Sequence, residues 1–170
     1  MRRQKAVEKT KKVMIFSLPL ILIVFCVGIY MYSISTTYAN KRNIRFLNKY
    51  GWSVASGGLS EKGRVLGKGI IDIDVYKMRI LASSEIGLNP ECYLDMPIDI
   101  YMYELEDKLN EGNISAEVWV NGKNIICSFL FHSESNLPLR YWPLTTPRFA
   151  IRSEYEQLFK EFKEFKEKYK

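Results

Sequence analysis

Ser115-Ala116-Glu117-Val118-Trp119-Val120, then Asn121-Gly122 and Lys123, then Asn124-Ile125-Ile126-Cys127-Ser128-Phe129-Leu130-Phe131-His132 is the stretch that decides the fold. Two runs rich in β-branched and aromatic residues flank an Asn-Gly pair, and Asn-Gly supplies the positive φ angles of a type I′ turn. The pattern predicts an antiparallel hairpin, with strands over 115–120 and 124–132 joined through Asn121-Gly122. Along the second strand Ile125, Cys127, Phe129 and Phe131 alternate with Ile126, Ser128, Leu130 and His132. The first set is the expected core face.

Working outward, Ile98 to Leu105 is rich in Ile and Tyr and reads as a further strand, separated from the hairpin by the loop Asn110-Glu111-Gly112-Asn113. Upstream, Thr36 or Thr37 can cap a helix from Tyr38 to Tyr50, with Ile44, Leu47 and Tyr50 on one side and Gly51 as its stop. Trp52 and Val54 alternate with Ser53 as a short strand, and Gly57, Gly58 and Gly63 mark a loop. From Ile70 to Ile86 two periods compete. Ile71, Ile73 and Val75 alternate, whereas Val75, Met78, Ala82 and Ile86 recur at helical spacing. The helical reading over 73–86, capped by Asp72 or Asp74 and ended by Gly87, is the expectation. Asn89-Pro90 opens a turn and Pro97 borders the next strand.

Downstream, residues 133–147 are polar and broken by prolines. Ser153 with Glu156 forms a capping-box pattern for a last helix over 151–170. Its apolar stripe is Tyr155, Leu158, Phe159, Phe162, Phe165 and Tyr169. Glu156 with Lys160 and Glu164 with Lys168 make i,i+4 pairs, each worth a few tenths of a kcal/mol. The expected fold class is therefore α+β. One small domain (33–150) packs helices on an antiparallel meander, and an amphipathic helix follows it.

The N-terminus adds a different kind of segment. Val13 to Tyr32 holds no charged residue. At about 1.5 Å per residue, a helix of that length spans the roughly 30 Å hydrocarbon core of a bilayer. Tyr30 and Tyr32 sit where an interfacial aromatic belt belongs. Residues 1–12 carry six basic side chains against Glu8 alone, a net +5 that favours the cytoplasmic side. The expectation is a single-pass membrane protein with the tail 1–12 inside, the span 13–32, and residues 33–170 outside. Thr37-Tyr38-Ala39 has the small residues of a cleavage site. Yet the apolar run exceeds the roughly 7–15 residues of a signal-peptide core, and Ala39 lies well beyond its end.

This placement changes the meaning of the formal charge of +6. Residues 33–170 hold 19 basic and 18 acidic groups, a balance without the basic footprint of a nucleic-acid binder. The lone histidine, His132, cannot build a multi-histidine metal site. A catalytic pairing of His132 with Glu134 is an adjacency in sequence only. Cys92 and Cys127 would face an oxidising exterior and could bridge, with core packing the competing role for Cys127. Two cysteines without histidines make a poor zinc site. Gly63 to Gly69 falls one residue short of a phosphate loop and lacks its terminal Ser or Thr. Asp72, Asp74, Asp95 and Asp99 have no calcium-loop spacing, and turn and capping roles suit them better. No cofactor and no metal is expected.

Arg45-Phe46-Leu47-Asn48-Lys49-Tyr50-Gly51-Trp52-Ser53-Val54 resembles the opening of a small extracytoplasmic domain of Gram-positive bacteria, a domain of unknown function often placed behind one membrane helix. The spacing of Val75-Tyr76, Gly87-Leu88, Tyr93, Tyr101 and Tyr103 is similar too, so the resemblance covers about 40–132. It implies a bacterial surface protein with an α+β fold, and it brings no activity and no site residues. The segment after His132 departs from that family's polar, glycine-containing ending.

Together these readings point to a non-catalytic interaction or sensing module of the cell envelope, in contact with the bilayer and with another envelope protein or a second copy of itself. Tyr155, Phe159, Phe162, Phe165 and Tyr169 are the candidate interaction surface. The alternatives are an envelope enzyme using His132 and a structural component of a larger membrane assembly. The topology has a direct check. A secretion-dependent reporter fused after Lys170 is expected to be active and a cytosol-dependent one silent; the reverse pattern overturns the orientation.

Overall fold

The computed structural model describes residues 21–30, 37–109, 112–132 and 140–168. The chain divides into two units, Met1–Ala39 and Asn40–Lys170. In the first, residues 21–30 form helix α1, whose Ile, Leu, Val and Phe side chains are exposed. No helix among the described residues is long and apolar enough to cross a membrane. Of the expected span, residues 13–20, 31 and 32 lie outside the described residues, as does the basic tail.

The second unit is built on a five-stranded antiparallel sheet in the order β1-β2-β3-β4-β5. The strands are Val54–Val65, Pro97–Lys108, Asn113–Asn121, Asn124–His132 and Tyr141–Trp142. Helix α2 covers residues 37–49, beginning in the last residues of the first unit. Helices α3 (Asp74–Ser84) and α4 (Arg148–Lys168) follow, with short 3-10 segments at Lys68–Asp72 and Pro90–Tyr93. The architecture is α+β with an antiparallel meander, as expected.

The hairpin forms at the expected place with a different turn. Asn121 pairs with Asn124, so the two loop residues are Gly122 and Lys123. Gly122 has φ 57°, and Asp95 is the sole non-glycine residue with positive φ among those described. That is the glycine-first pattern of a type II′ turn, whereas type I′ needs two positive angles. Arg42 of α2 reaches over the turn and donates from Nη1 to the Lys123 carbonyl at 2.7 Å.

The single core face expected for β4 is corrected: the sheet is buried on both sides. On one face Ile98, Ile100, Trp119, Cys127 and Phe129 cluster with Leu66, Ile126 and Ala82 of α3. A register shift between Trp119 and Val120 brings Ile126 into that cluster, which breaks the strict alternation. On the other face alternation places Tyr101, Tyr103, Leu105, Ile114, Ala116, Val118 and Leu130, all buried. There Tyr103 Oη donates to Asn40 Oδ1 of α2 at 2.8 Å. Nearby, Trp52 Nε1 donates to the Leu144 carbonyl at 2.7 Å.

Where a glycine loop was expected after Trp52, the chain forms the longest edge strand, β1, paired with β2 along its length. Glycine permits this rather than forbidding it. A Cβ on Gly57 (φ 120°) would lie 2.2 Å from the Met102 carbonyl oxygen, so only glycine fits that approach. Three register irregularities and the charges of Glu61, Lys62 and Arg64 then roughen the edge.

Helix α3 settles the contest between periods in favour of the helix. Its N-cap is Ile73 with no side-chain cap bond, so neither Asp72 nor Asp74 caps it. Asp74 instead pairs loosely with Lys77 at 3.7 Å. Asn89 Oδ1 accepts from Glu91 N at 3.1 Å, the Asn-Pro turn expected there. At the other end of α3, Ser83 docks on the outer edge of β4. Ser128 N donates to Ser83 Oγ at 3.0 Å, and that hydroxyl lies 3.1 Å from the Ser128 carbonyl.

Helix α4 starts at Arg148, so the Ser153 capping box is also corrected. The Pro147 carbonyl accepts from Ala150 and Ile151 at 3.0 and 3.2 Å. Tertiary contacts fix this start: Arg148 donates to Asp107 at 2.8 Å and to the Gly51 carbonyl, and its guanidinium lies 4.5 Å from the Trp52 ring. A preference for Ser at an N-cap is worth about 1 kcal/mol, less than this set of contacts.

The β1 geometry yields a paired test. Gly57→Ala is expected to cost roughly 2–4 kcal/mol from positive-φ strain plus the clash. Gly58→Ala, whose Cβ would meet nothing closer than 3.9 Å, is expected to be nearly neutral in urea denaturation.

Candidate functional site

The residues with chemical potential sit in the core. His132 has no exposed surface. It packs edge-on to Tyr155 at 5.7 Å and against Trp142 at 6.2 Å between ring centroids. A side chain so enclosed cannot meet a substrate without prior opening of α4, and Glu134, its proposed partner, lies outside the described residues.

Cys92 is exposed and Cys127 buried, and both are free thiols. The Cys127 sulfur is 2.9 Å from Ser83 Oγ. Burial pushes its thiol up, offset in part by the Ser83 hydrogen bond, which leaves it a packing group rather than a nucleophile. Among the described residues no group of three or more His, Cys, Asp or Glu side chains could hold a metal ion. Asp99 sits in β2 rather than in a turn and accepts across the strand pair from Gly63 N of β1 at 2.9 Å, where the β1–β2 register shifts, and Asp95 takes a left-handed conformation at φ 64°.

The one ionic cluster under α3 was not anticipated from sequence. Glu117 projects from β3 into the α3 side of the sheet, with its side chain 6% exposed. Trp119 Nε1 donates to its Oε1 at 2.5 Å, and Arg79 Nη1 of α3 approaches the same oxygen at 3.5 Å. Arg79 Nη2 also donates to Tyr141 Oη at 3.2 Å. Its guanidinium lies 5.1 to 5.4 Å from the ring centroids of Tyr141, Tyr76 and Phe129. The available signal was a lone carboxylate inside an otherwise apolar strand, which demands a partner. The cluster offers no nucleophile. Its chemistry is adhesive: a cation held by three π faces and one buried anion ties α3 to the sheet.

The five residues of the candidate interaction surface on α4 divide by depth. Tyr155 is in the core, Phe159 and Phe162 are half-buried, and Phe165 is 59% exposed. Phe159 stacks on Tyr155 at 6.5 Å, and Tyr169 lies outside the described residues. The helix thus begins as part of the core and becomes progressively exposed. Beside it, Arg140, Glu154, Gln157, Leu158 and Glu161 line an open polar depression of about 270 Å³. Trp142 Nε1 donates to Glu154 Oε2 at 2.8 Å on the same side.

The Tyr50-Gly51-Trp52 motif has a structural role. Gly51 (φ 83°) turns the chain out of α2, while Leu47 and Trp52 enter the core. No family model, no curated protein and no solved structure matches the chain.

Arg79→Ala leaves a buried carboxylate with a lone indole donor and is expected to cost about 3 kcal/mol in urea unfolding. Arg79→Met combined with Glu117→Gln removes both charges together, and is expected to recover most of that loss.

Proposed function

We propose that the chain is a single-pass membrane-anchored protein whose α+β domain works outside the cytoplasm as a non-catalytic interaction module of the cell envelope. The observation that carries this reading is the gradient along α4. The helix spends Ile151 and Tyr155 on the core, then continues its aromatic stripe through Phe159, Phe162 and Phe165 to the surface. Phe165 is a large aromatic side chain 59% exposed at the distal end of that stripe, and aromatic side chains at a surface are enriched in contact surfaces. The burial of His132 and Cys127 turns two reactive residue types into packing groups and supports the same reading. The apolar run 13–32 with its basic flank supports the anchoring, and the resemblance over 40–132 supports a bacterial surface location.

Crosslinking in intact membranes followed by affinity capture tests the proposal. The full-length chain is expected to retain a reproducible protein contact that Phe162→Asp with Phe165→Asp reduces by at least tenfold, at unchanged membrane content. Capture indifferent to both substitutions removes α4 as the contact surface.

A further inference from the structure

Helix α2 (37–49) carries Lys41, Arg42, Arg45 and Lys49, and no Asp or Glu occurs from residue 33 to residue 60. Residues 61–170 have the opposite balance, with 15 basic and 18 acidic groups. The near-neutral charge after the apolar run is thus an average over a positive helix and a negative remainder. Arg42 is committed to the Lys123 carbonyl at 2.7 Å. Lys41, Arg45 and Lys49 recur at spacings of four, and at about 100° per residue they fall within an arc of roughly 80° on one side of the helix. All three are exposed, whereas Asn43 and Leu47 on the opposite side are buried. Among the described residues none of the three joins an ion pair. Like charges four residues apart repel, so the row costs the helix rather than supporting it.

We propose that the row Lys41, Arg45 and Lys49 docks on the bilayer surface, against the phosphate groups of anionic lipids. The inference rests on the anchored reading and adds a second membrane contact to it. The sign of the face calls for an anion, and the tether says which one. The expected span ends at Tyr32 and α2 begins at residue 37. Five Cα–Cα steps reach at most about 18 Å, so the start of the helix is held beside the headgroups at high effective concentration. Tyr38, 69% exposed in the first turn, is an aromatic of the kind that sits at headgroup level. Three basic side chains at an anionic surface favour the docked state by roughly two orders of magnitude. The negative balance of residues 61–170 favours this helix, rather than the rest of the domain, as the side that meets the lipid.

The test uses the full chain reconstituted in vesicles of phosphatidylcholine, alone or mixed with phosphatidylglycerol. A fluorophore on Asn48→Cys, exposed near the far end of α2, reports energy transfer to labelled headgroups. Cys26→Ser and Cys92→Ser remove the other exposed thiols, and Cys127 is buried. Transfer is expected to rise roughly twofold with phosphatidylglycerol and to fall back in about 1 M salt, where the screening length is only about 3 Å. The combined variant Lys41→Gln, Arg45→Gln and Lys49→Gln is expected to stay at the phosphatidylcholine level in both membranes. Circular dichroism checks its folding, and the lipid and salt dependence of the chain with all three charges decides the matter without it. Transfer indifferent to lipid charge overturns the proposal, as does a response that the three substitutions leave intact. Binding of soluble inorganic polyphosphate to the row, with no response to lipid charge, also overturns it and assigns the face to another polyanion. A chain that floats with neither vesicle rejects the anchored reading and the docking together; one that floats with both and shows no charge response rejects the docking alone.

Discussion

Strand β3 is buried without interruption from Ile114 to Val120, on both of its faces. An antiparallel sheet more often leaves one face to water. Burying both obliges the chain to supply a covering layer on each side, and it obliges every polar group on β3 to find a partner. Helix α3 covers one side with Arg79 reaching Glu117. Helices α2 and α4 cover the other, joined through Trp52, whose indole binds the Leu144 carbonyl while its ring receives Arg148. The sheet order is simple because consecutive strands are neighbours throughout, so the folding problem reduces to seating three helices.

That constraint explains how the candidate residues came to be placed. His132 and Cys127 lie on strand β4, which β3 draws into the middle of the sheet. Their chemistry is suppressed by enclosure. Glu117, by contrast, was pulled inward with its charge and had to be answered by an arginine bracketed by aromatic rings. Polar chemistry in this domain is used for fastening. Among the described residues, the irregular edge β1 and the distal part of α4 are exposed.

Local patterns announced the hairpin, the helix ending at Gly51 and the Asn89-Pro90 turn, because each depends on residues a few positions apart. The type II′ turn was out of reach, since the choice of Gly122-Lys123 over Asn121-Gly122 follows from cross-strand register. Likewise β1 was hidden behind its glycines: the close approach of Gly57 to Met102 involves residues 45 positions apart in sequence. The start of α4 was set by Arg148 against Trp52 and Asp107, which no window around Ser153 contains. The stripe of α4 was readable as amphipathic, but where burial stops along it was not, because that is decided by where the sheet ends.

Ser83 has a bearing on solubility. It satisfies both backbone groups of Ser128 on the side of β4 away from β3, where the two-residue strand β5 pairs only with Leu130 and Phe131. A hydroxyl on a helix is standing in for a missing neighbouring strand. If α3 lifts away while the sheet stays intact, a ready-made template for strand pairing is uncovered beside Ile126 and Phe129. Aggregation of this domain would then begin from a nearly native state with one helix undocked, and the seating of α3 is its guard.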